Sequence, residues 1–295
     1  MSILTLIQTV TDEIAGLSRP SAVVTSTDRN VQRLLALAHR VGKDLRQGYD
    51  FPHLQKEGTF VLVTDQTSYA LPNDFERWTS ESQWDGSNSW QVFGPLSPQE
   101  YEQQLRGVTV TAPKKMFTVQ GATRRAGQID QRAQLRATIV PTPTSGDNGT
   151  TIYTQYISGT WILPVNWVTG TSYAATSYCN YLGNIYYTVL GGTAGGTPPV
   201  HTSGTVTDGT VLWLYISYPY DKFLADTDIS IIDEMLIVLG VKYKWLAQNG
   251  LDYKEAQAEF DDAVGKQMVA YTGARDLNLI TGRRNSSIPD SGYGL

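Results

Sequence analysis

The chain is poor in the residues that most chemistry needs. It has one cysteine, Cys179, in 295 residues. That excludes an intramolecular disulfide and a cysteine-based metal cluster. Its three histidines, His39, His53 and His201, are scattered. Neither a His-x3-His pair nor an HExxH occurs, so no metal site is expected. Charge is scarce as well: 17% of residues are Asp, Glu, Lys or Arg, against about a quarter in ordinary domains. The densest basic spots are the pairs Lys114-Lys115, Arg124-Arg125 and Arg283-Arg284, and the net charge is −5. The electrostatic footprint of a nucleic-acid binder is missing. No apolar run approaches the ~18 residues of a membrane span. The opening MSILTLIQTVTDEIAGL has no basic n-region and carries Asp12 and Glu13. The expectation is a soluble protein made in a cytoplasm, without a membrane partner.

Catalytic signatures are equally thin. Gly-x-Ser-x-Gly is absent. Gly191-Gly192-Thr-Ala-Gly195-Gly196 lacks the Lys-Ser/Thr and the helix of a phosphate loop, and reads as a hairpin tip. The paired acids Asp233-Glu234 and Asp261-Asp262 point about 100° apart on a helix, as caps and solvated faces do. Cys179 has no basic neighbour in sequence and reads as a passive thiol. No catalytic residue and no cofactor is expected.

What the chain does have is aromatic and flexible: 17 Tyr, 27 Gly and 13 Pro, with aromatics at 11%. Such a composition suits β-rich modules whose surfaces are buried in an assembly. It suits an ordinary β domain as well. Helices are expected at both ends. Leu4, Ile7, Ile14 and Leu17 stand at helical spacing, ending near Ser18-Arg19-Pro20. A second helix starts near Thr27-Asp28, carries Val31, Leu34, Ala38, Val41 and Leu45 in one stripe, and ends about Gly48. Near the C-terminus Ile229, Ile232, Leu236, Leu239, Tyr243 and Leu246 form another stripe from Thr227 on. Met235, Val238 and Trp245 form a second row beside it. Asn249-Gly250 stops that helix. Asp252 and Glu255 read as a capping box for a last one, with Tyr253, Ala256, Phe260, Val264 and Tyr271 on one side. The economical fold is α+β: a four-helix bundle built from both chain ends, residues 1–55 and 220–272, with the rest projecting from it.

Between the helices, residues 56–162 read as a β-rich domain. KEGTFVLVTDQTSYALPNDF suggests two strands around a turn, and Trp84 and Trp90 flank a hairpin at Asp85-Gly86-Ser87-Asn88. Ser97-Pro98-Gln99-Glu100 opens a short helix to about Arg106. Strands are expected at 116–120, 134–140 and 150–157. Residues 163–219 then change texture. Asp208 and His201 are almost their only ionisable groups, and Asp208-Gly209 between alternating runs is a hairpin signal. This segment reads as an inserted small all-β module. Residues 273–295 have no periodicity, several Gly and Ser and two adjacent arginines, as an extended arm or a disordered terminus would.

In order along the chain, YDFPHL, TSYALPNDFERW, IYTQYISGTW and DKFLADTDISIIDEMLIVLGVKYKWLAQNGLDYKEAQAEFDDAV resemble the head-to-tail adaptor (connector) proteins of tailed bacteriophages. The likeness spans roughly 20–160 and 220–272. Its most specific parts are the Y-x-L-P-x-D-F turn at Tyr69–Phe75 and the C-terminal helix pair. The inserted module is similar to small β repeats of phage tail and fibre proteins. The resemblance implies a structural virion protein of the neck, not an enzyme. It implies a homo-oligomeric ring, typically of twelve copies, under the portal protein and above a tail or nozzle protein, with tail fibres as a further partner. Genome DNA would pass through without specific binding, which an acidic wall favours. It also implies an arm gripping the portal, with Arg275, Leu277, Leu279, Ile280, Arg283, Arg284 and Tyr293 as its contacts. Met235, Val238 and Trp245 are the expected face between subunits. The alternative is a carbohydrate-binding tail or fibre component, in which Tyr186, Tyr187 and Trp213 stack on sugar or protein. A glycan-cleaving enzyme would need two carboxylates across a groove, and the module offers only Asp208.

Overall fold

The structure is a computed structural model, and it describes residues 1–79, 82–106, 115–121, 135–216 and 218–272. The chain opens with α1 (Ile3–Glu13) and α2 (Arg29–Gly48). A β-rich stretch follows: β1 (Gln55–Val61), β2 (Ser68–Ala70), β3 (Phe75–Trp78), β4 (Trp84–Asp85) and β5 (Trp90–Gln91). Next come α3 (Pro98–Arg106), β6 (Met116–Gly121), β7 (Leu135–Val140), β8 (Thr151–Ser158) and β9 (Ile162–Leu163). Then follow β10 (Ser172–Tyr173), β11 (Tyr178–Tyr181), β12 (Asn184–Leu190), β13 (Gly192–Thr193), β14 (Thr205–Asp208) and β15 (Val211–Tyr215). The chain closes with β16 (Ile229–Ser230), α4 (Glu234–Gln248) and α5 (Lys254–Thr272).

All the strand pairs between these elements are antiparallel. β8 is the central strand: β1 lies along one edge, β3 and β4 along the other, and β5 closes on β4. β2, β7 and β6 form a second sheet. The region read as two strands around a turn is therefore no hairpin. β1 pairs with β8 and β2 with β7, each more than sixty residues away (Thr59 opposite Tyr153, Tyr69 opposite Ala137). Alternation identifies a strand but not its partner.

The expected α+β design, with a bundle made only of terminal helices, is overturned. Among the described residues there are five α-helices, while antiparallel strands dominate the centre and helices stand at both ends. The four terminal helices do not enclose a core of their own. α4 is the hub, with α1, α2 and α5 packed against it. The same core takes in Ile157, Trp161, Ile162, Tyr220 and Phe223, and even Ile185 on β12 of the inserted sheet and Ile216 just after β15. Two glycines make this approach possible. A Cβ on Gly42 would run into the Trp161 ring, and one on Gly240 into Val41 and Phe260. Glycine weakens a helix interior by about 1 kcal/mol relative to alanine, so closeness is what both positions supply.

Helix limits also shift. α1 stops at Glu13, Ile14 is already extended and Gly16 takes a φ of 87°. Its buried stripe is Ile3, Leu6, Ile7 and Val10, with Leu4 only half-buried and Leu17 packing from the following loop. α4 starts at Glu234 because the Asp233 carboxylate accepts the Met235 N–H at 2.8 Å. Ile229 and Ile232 precede it: Ile229 pairs with Leu163 and bridges Ser2. α2, by contrast, begins where Asp28 accepts the Asn30 N–H and buries Val31, Leu34, Ala38, Val41 and Leu45.

Candidate interaction surfaces

The turn after β2 organises one junction. Pro72 fixes the approach, its carbonyl accepting the Phe75 N–H at 3.0 Å, and Asp74 projects from the tip. Its carboxylate accepts bonds from Lys56 Nζ (2.7 Å), the Tyr156 hydroxyl (2.8 Å) and the Ser158 hydroxyl (2.6 Å). Its carbonyl accepts the Gly159 N–H at 2.6 Å. Burial works to raise this carboxyl. The Lys56 ammonium and the hydrogen bonds from Lys56, Ser158 and Tyr156 outweigh it, and hold the group below the usual carboxylate range. Two residues on, Glu76 pairs with Arg46 at 3.1 Å, and buried Arg46 donates to the Gly159 carbonyl at 2.6 Å. The turn thus ties the end of β8 to α2. Beside it lies a polar cleft of about 410 Å3, lined by Lys56, Asn73, Asp74, Tyr156, Asn184 and Tyr215, between the central sheet and the inserted module.

The acidic segment before β16 is a second clasp. Asp226 accepts the Val23 and Val24 N–H groups at 3.1 and 2.7 Å. Asp228 accepts the Tyr220 hydroxyl at 2.9 Å and the Leu224 and Ala225 N–H groups at 2.7 and 3.0 Å. Burial raises the Asp228 carboxyl above its ordinary value, and these bonds offset it only in part. The Asp228 carbonyl accepts the Ile3 N–H at 2.8 Å, which joins the start of α1 to the segment before β16.

Inside the inserted module, Tyr173, Cys179, Tyr186, Ala194, Val211 and Trp213 form a separate core. Tyr186 and Trp213 are both 0% exposed. That corrects their assignment as contact residues: neither ring can stack on a sugar or a partner, because the module spends them on its own interior. Tyr187 is half-buried, 5.1 Å from Tyr178 and packed toward the main core. Burial pushes the Cys179 thiol up to about 12, which makes it inert. Asp208, two-faced in a small space, accepts from Trp167 Nε1 and from the Thr197 N–H, both at 3.3 Å. It is a structural acid.

The exposed aromatics lie elsewhere. Trp84 and Tyr153, each 41% exposed, stand opposite one another on the outer face of the central sheet. Trp90, at 37%, is on the adjoining strand. Sequence reasoning placed these tryptophans in a hairpin but not on a surface. The available signal was their setting among Ser, Asp, Asn and Gly, which supply no cover.

On α4 the expected face between subunits is also corrected. Val238 and Trp245 are buried within the single chain, and only Met235 is exposed. A helix surrounded by α1, α2 and α5 has little flank left. The arm residues Arg275, Leu277, Leu279, Ile280, Arg283, Arg284 and Tyr293 lie outside the described residues.

Among the described residues no group of three or more His, Cys, Asp or Glu side chains is placed to hold a metal ion. No described helix is long and apolar enough to cross a membrane. Compared with known proteins, the chain matches no family model and no curated protein.

Proposed function

We propose that this chain is a structural virion protein, the head-to-tail adaptor of a tailed bacteriophage, assembling as a ring between the portal and the tail. One observation supports the reading most: the separate segments that carry the resemblance bind one another directly. Arg77 of FERW donates to the Tyr49 carbonyl at 2.8 Å and pairs with Asp50, both in YDFPHL. Asp74 of LPNDF holds Tyr156, Ser158 and Gly159 of IYTQYISGTW. Trp161, at the end of that segment, meets Phe223 of DKFLADTD edge-on at 5.3 Å. The likeness is therefore carried by one connected scaffold rather than by four unrelated stretches.

In this reading the work is geometric, with no catalytic step and no cofactor. The protein presents one surface to the portal and another to the tail, and the arm at 273–295 grips the portal. The carbohydrate alternative loses the Tyr186 and Trp213 rings on which it rested. The test is co-expression with the portal protein of the same phage. The adaptor reading expects the full chain to co-purify with portal rings and the chain lacking 273–295 to be lost. A full chain that ignores the portal overturns the adaptor role, and retained binding without the arm overturns the arm assignment.

A further inference from the structure

Two helices show outward faces of opposite charge. On α2, at about 100° per residue, Arg29, Arg33, Arg40 and Lys43 fall within an arc of about 80°, with Ala36 at its middle. All five are exposed. None of the four cations has an ion-pair or hydrogen-bond partner among the described residues. On α5, Glu255, Ala258, Asp261, Asp262, Gly265 and Val269 share an arc of about 120°. They are exposed too, Val269 by 59%. Asp261 is unpaired among the described residues, and Asp262 is held only by Lys266 one turn along the same helix. Lys254 is the other cation at this edge.

The two stripes cannot meet within one chain. α2 and α5 both turn their inner faces to α4, where Val41 and Phe260 converge on Gly240. At about 100° per residue, Lys43 lies about 160° from Val41 and Asp262 about 160° from Val264, opposite the inner faces of their helices. A row of unpaired cations and a row of exposed acids, each with a small residue at its centre, are complementary in charge and allow close helix approach. We infer that they form a head-to-tail contact between copies of this chain. The basic stripe of α2 in one copy lies against the acidic stripe of α5 in the next. Unlike patches in contact make a heterologous interface, which closes into a ring or runs on as a filament. Closure into a ring rests on the adaptor reading; the contact itself does not. Duplex nucleic acid is the rival occupant of the α2 stripe. The chain's own acidic helix and its net charge of −5 favour the second copy.

Sedimentation velocity of the full chain at graded salt tests this, because exposed charges are screened beyond about 8–10 Å at ordinary ionic strength. The expected result is association that weakens with salt. Arg33→Glu with Arg40→Glu, or Asp261→Lys with Asp262→Lys, should each weaken it about tenfold or more. Mixing the two reversed variants should restore it. For association too weak to sediment, Ala36→Cys with Ala258→Cys, treated with a short bismaleimide, should give a ladder of covalent oligomers; buried Cys179 stays silent. No ladder at any protein concentration overturns the contact, as does a mixture that fails to recover. Duplex DNA binding that is lost in the α2 variant, without self-association, gives the stripe to phosphate instead. A chain that binds portal rings yet yields no α2–α5 cross-link sinks this interface and leaves the adaptor reading standing. A ladder without portal binding does the reverse.

Discussion

The main core and the inserted module bury their aromatics in different ways. The main core assembles Ile3, Leu34, Trp161, Phe223 and Ile237 from segments spread over the whole chain. The module buries Tyr173, Tyr186 and Trp213 from within about forty residues of continuous sequence, on strands that pair with near neighbours. One core depends on closure between segments more than two hundred residues apart, the other on strands that pair within about thirty residues of one another. The difference teaches that low charge and many tyrosines have two origins here: a small β core closed within one stretch of sequence, and a scaffold that recruits distant elements.

The largest expected effect separates the two. Trp161→Ala should cost about 3–5 kcal/mol and lower protection throughout the helices, because a fully buried ring is removed from the shared core. Trp213→Ala should cost as much locally, but confine its loss of amide protection to residues 165–216. Hydrogen exchange reads both. Equal loss in α2 from the Trp213 variant would make the two regions one cooperative unit. Next, Gly42→Ala and Gly240→Ala should each destabilise by about 1–3 kcal/mol through overpacking, despite the gain in helix propensity. Gly265→Ala, whose added Cβ meets nothing within 4 Å, should stabilise by up to about 1 kcal/mol. Urea titration compares all three.

Asp74→Asn should cost about 1–2 kcal/mol at neutral pH. The folded-state carboxyl sits below its ordinary value, so its contribution is present above the usual carboxylate range and is lost as pH falls through the depressed value. Acid unfolding of the variant should therefore be less steep than that of the parent. Asp228 has the opposite sign. Raised in the folded state, it favours folding at low pH, and that contribution fades as pH rises through its folded value. Asp208→Ala should cost about 1 kcal/mol, confined to the module, since it frees the Trp167 and Thr197 N–H groups. Met235→Lys, on an exposed turn of α4, should stay within about 0.5 kcal/mol in thermal melts.

Much of this was legible in the residues. Asp28 as the cap of α2, the stripe from Val31 to Leu45, Ser97-Pro98 opening α3 and the Asp208-Gly209 turn are local devices, and each stands where its chemistry puts it. The contact residues were less legible. Tyr186, Trp213, Val238 and Trp245 have the chemistry of interface residues, but burial is set by what else reaches them. Trp84 and Tyr153 were open for the same reason in reverse.

The sequence alone determined where α2 and α3 begin and where the Asp208-Gly209 turn falls, because caps, a proline at the first helical position and turn residues act over a few positions. Tertiary structure alone decided that β1 joins β8, that α4 becomes a hub, and that the charged faces of α2 and α5 are left outward. The strand pairing joins segments about ninety residues or more apart, and no local pattern encodes which distant surface will arrive.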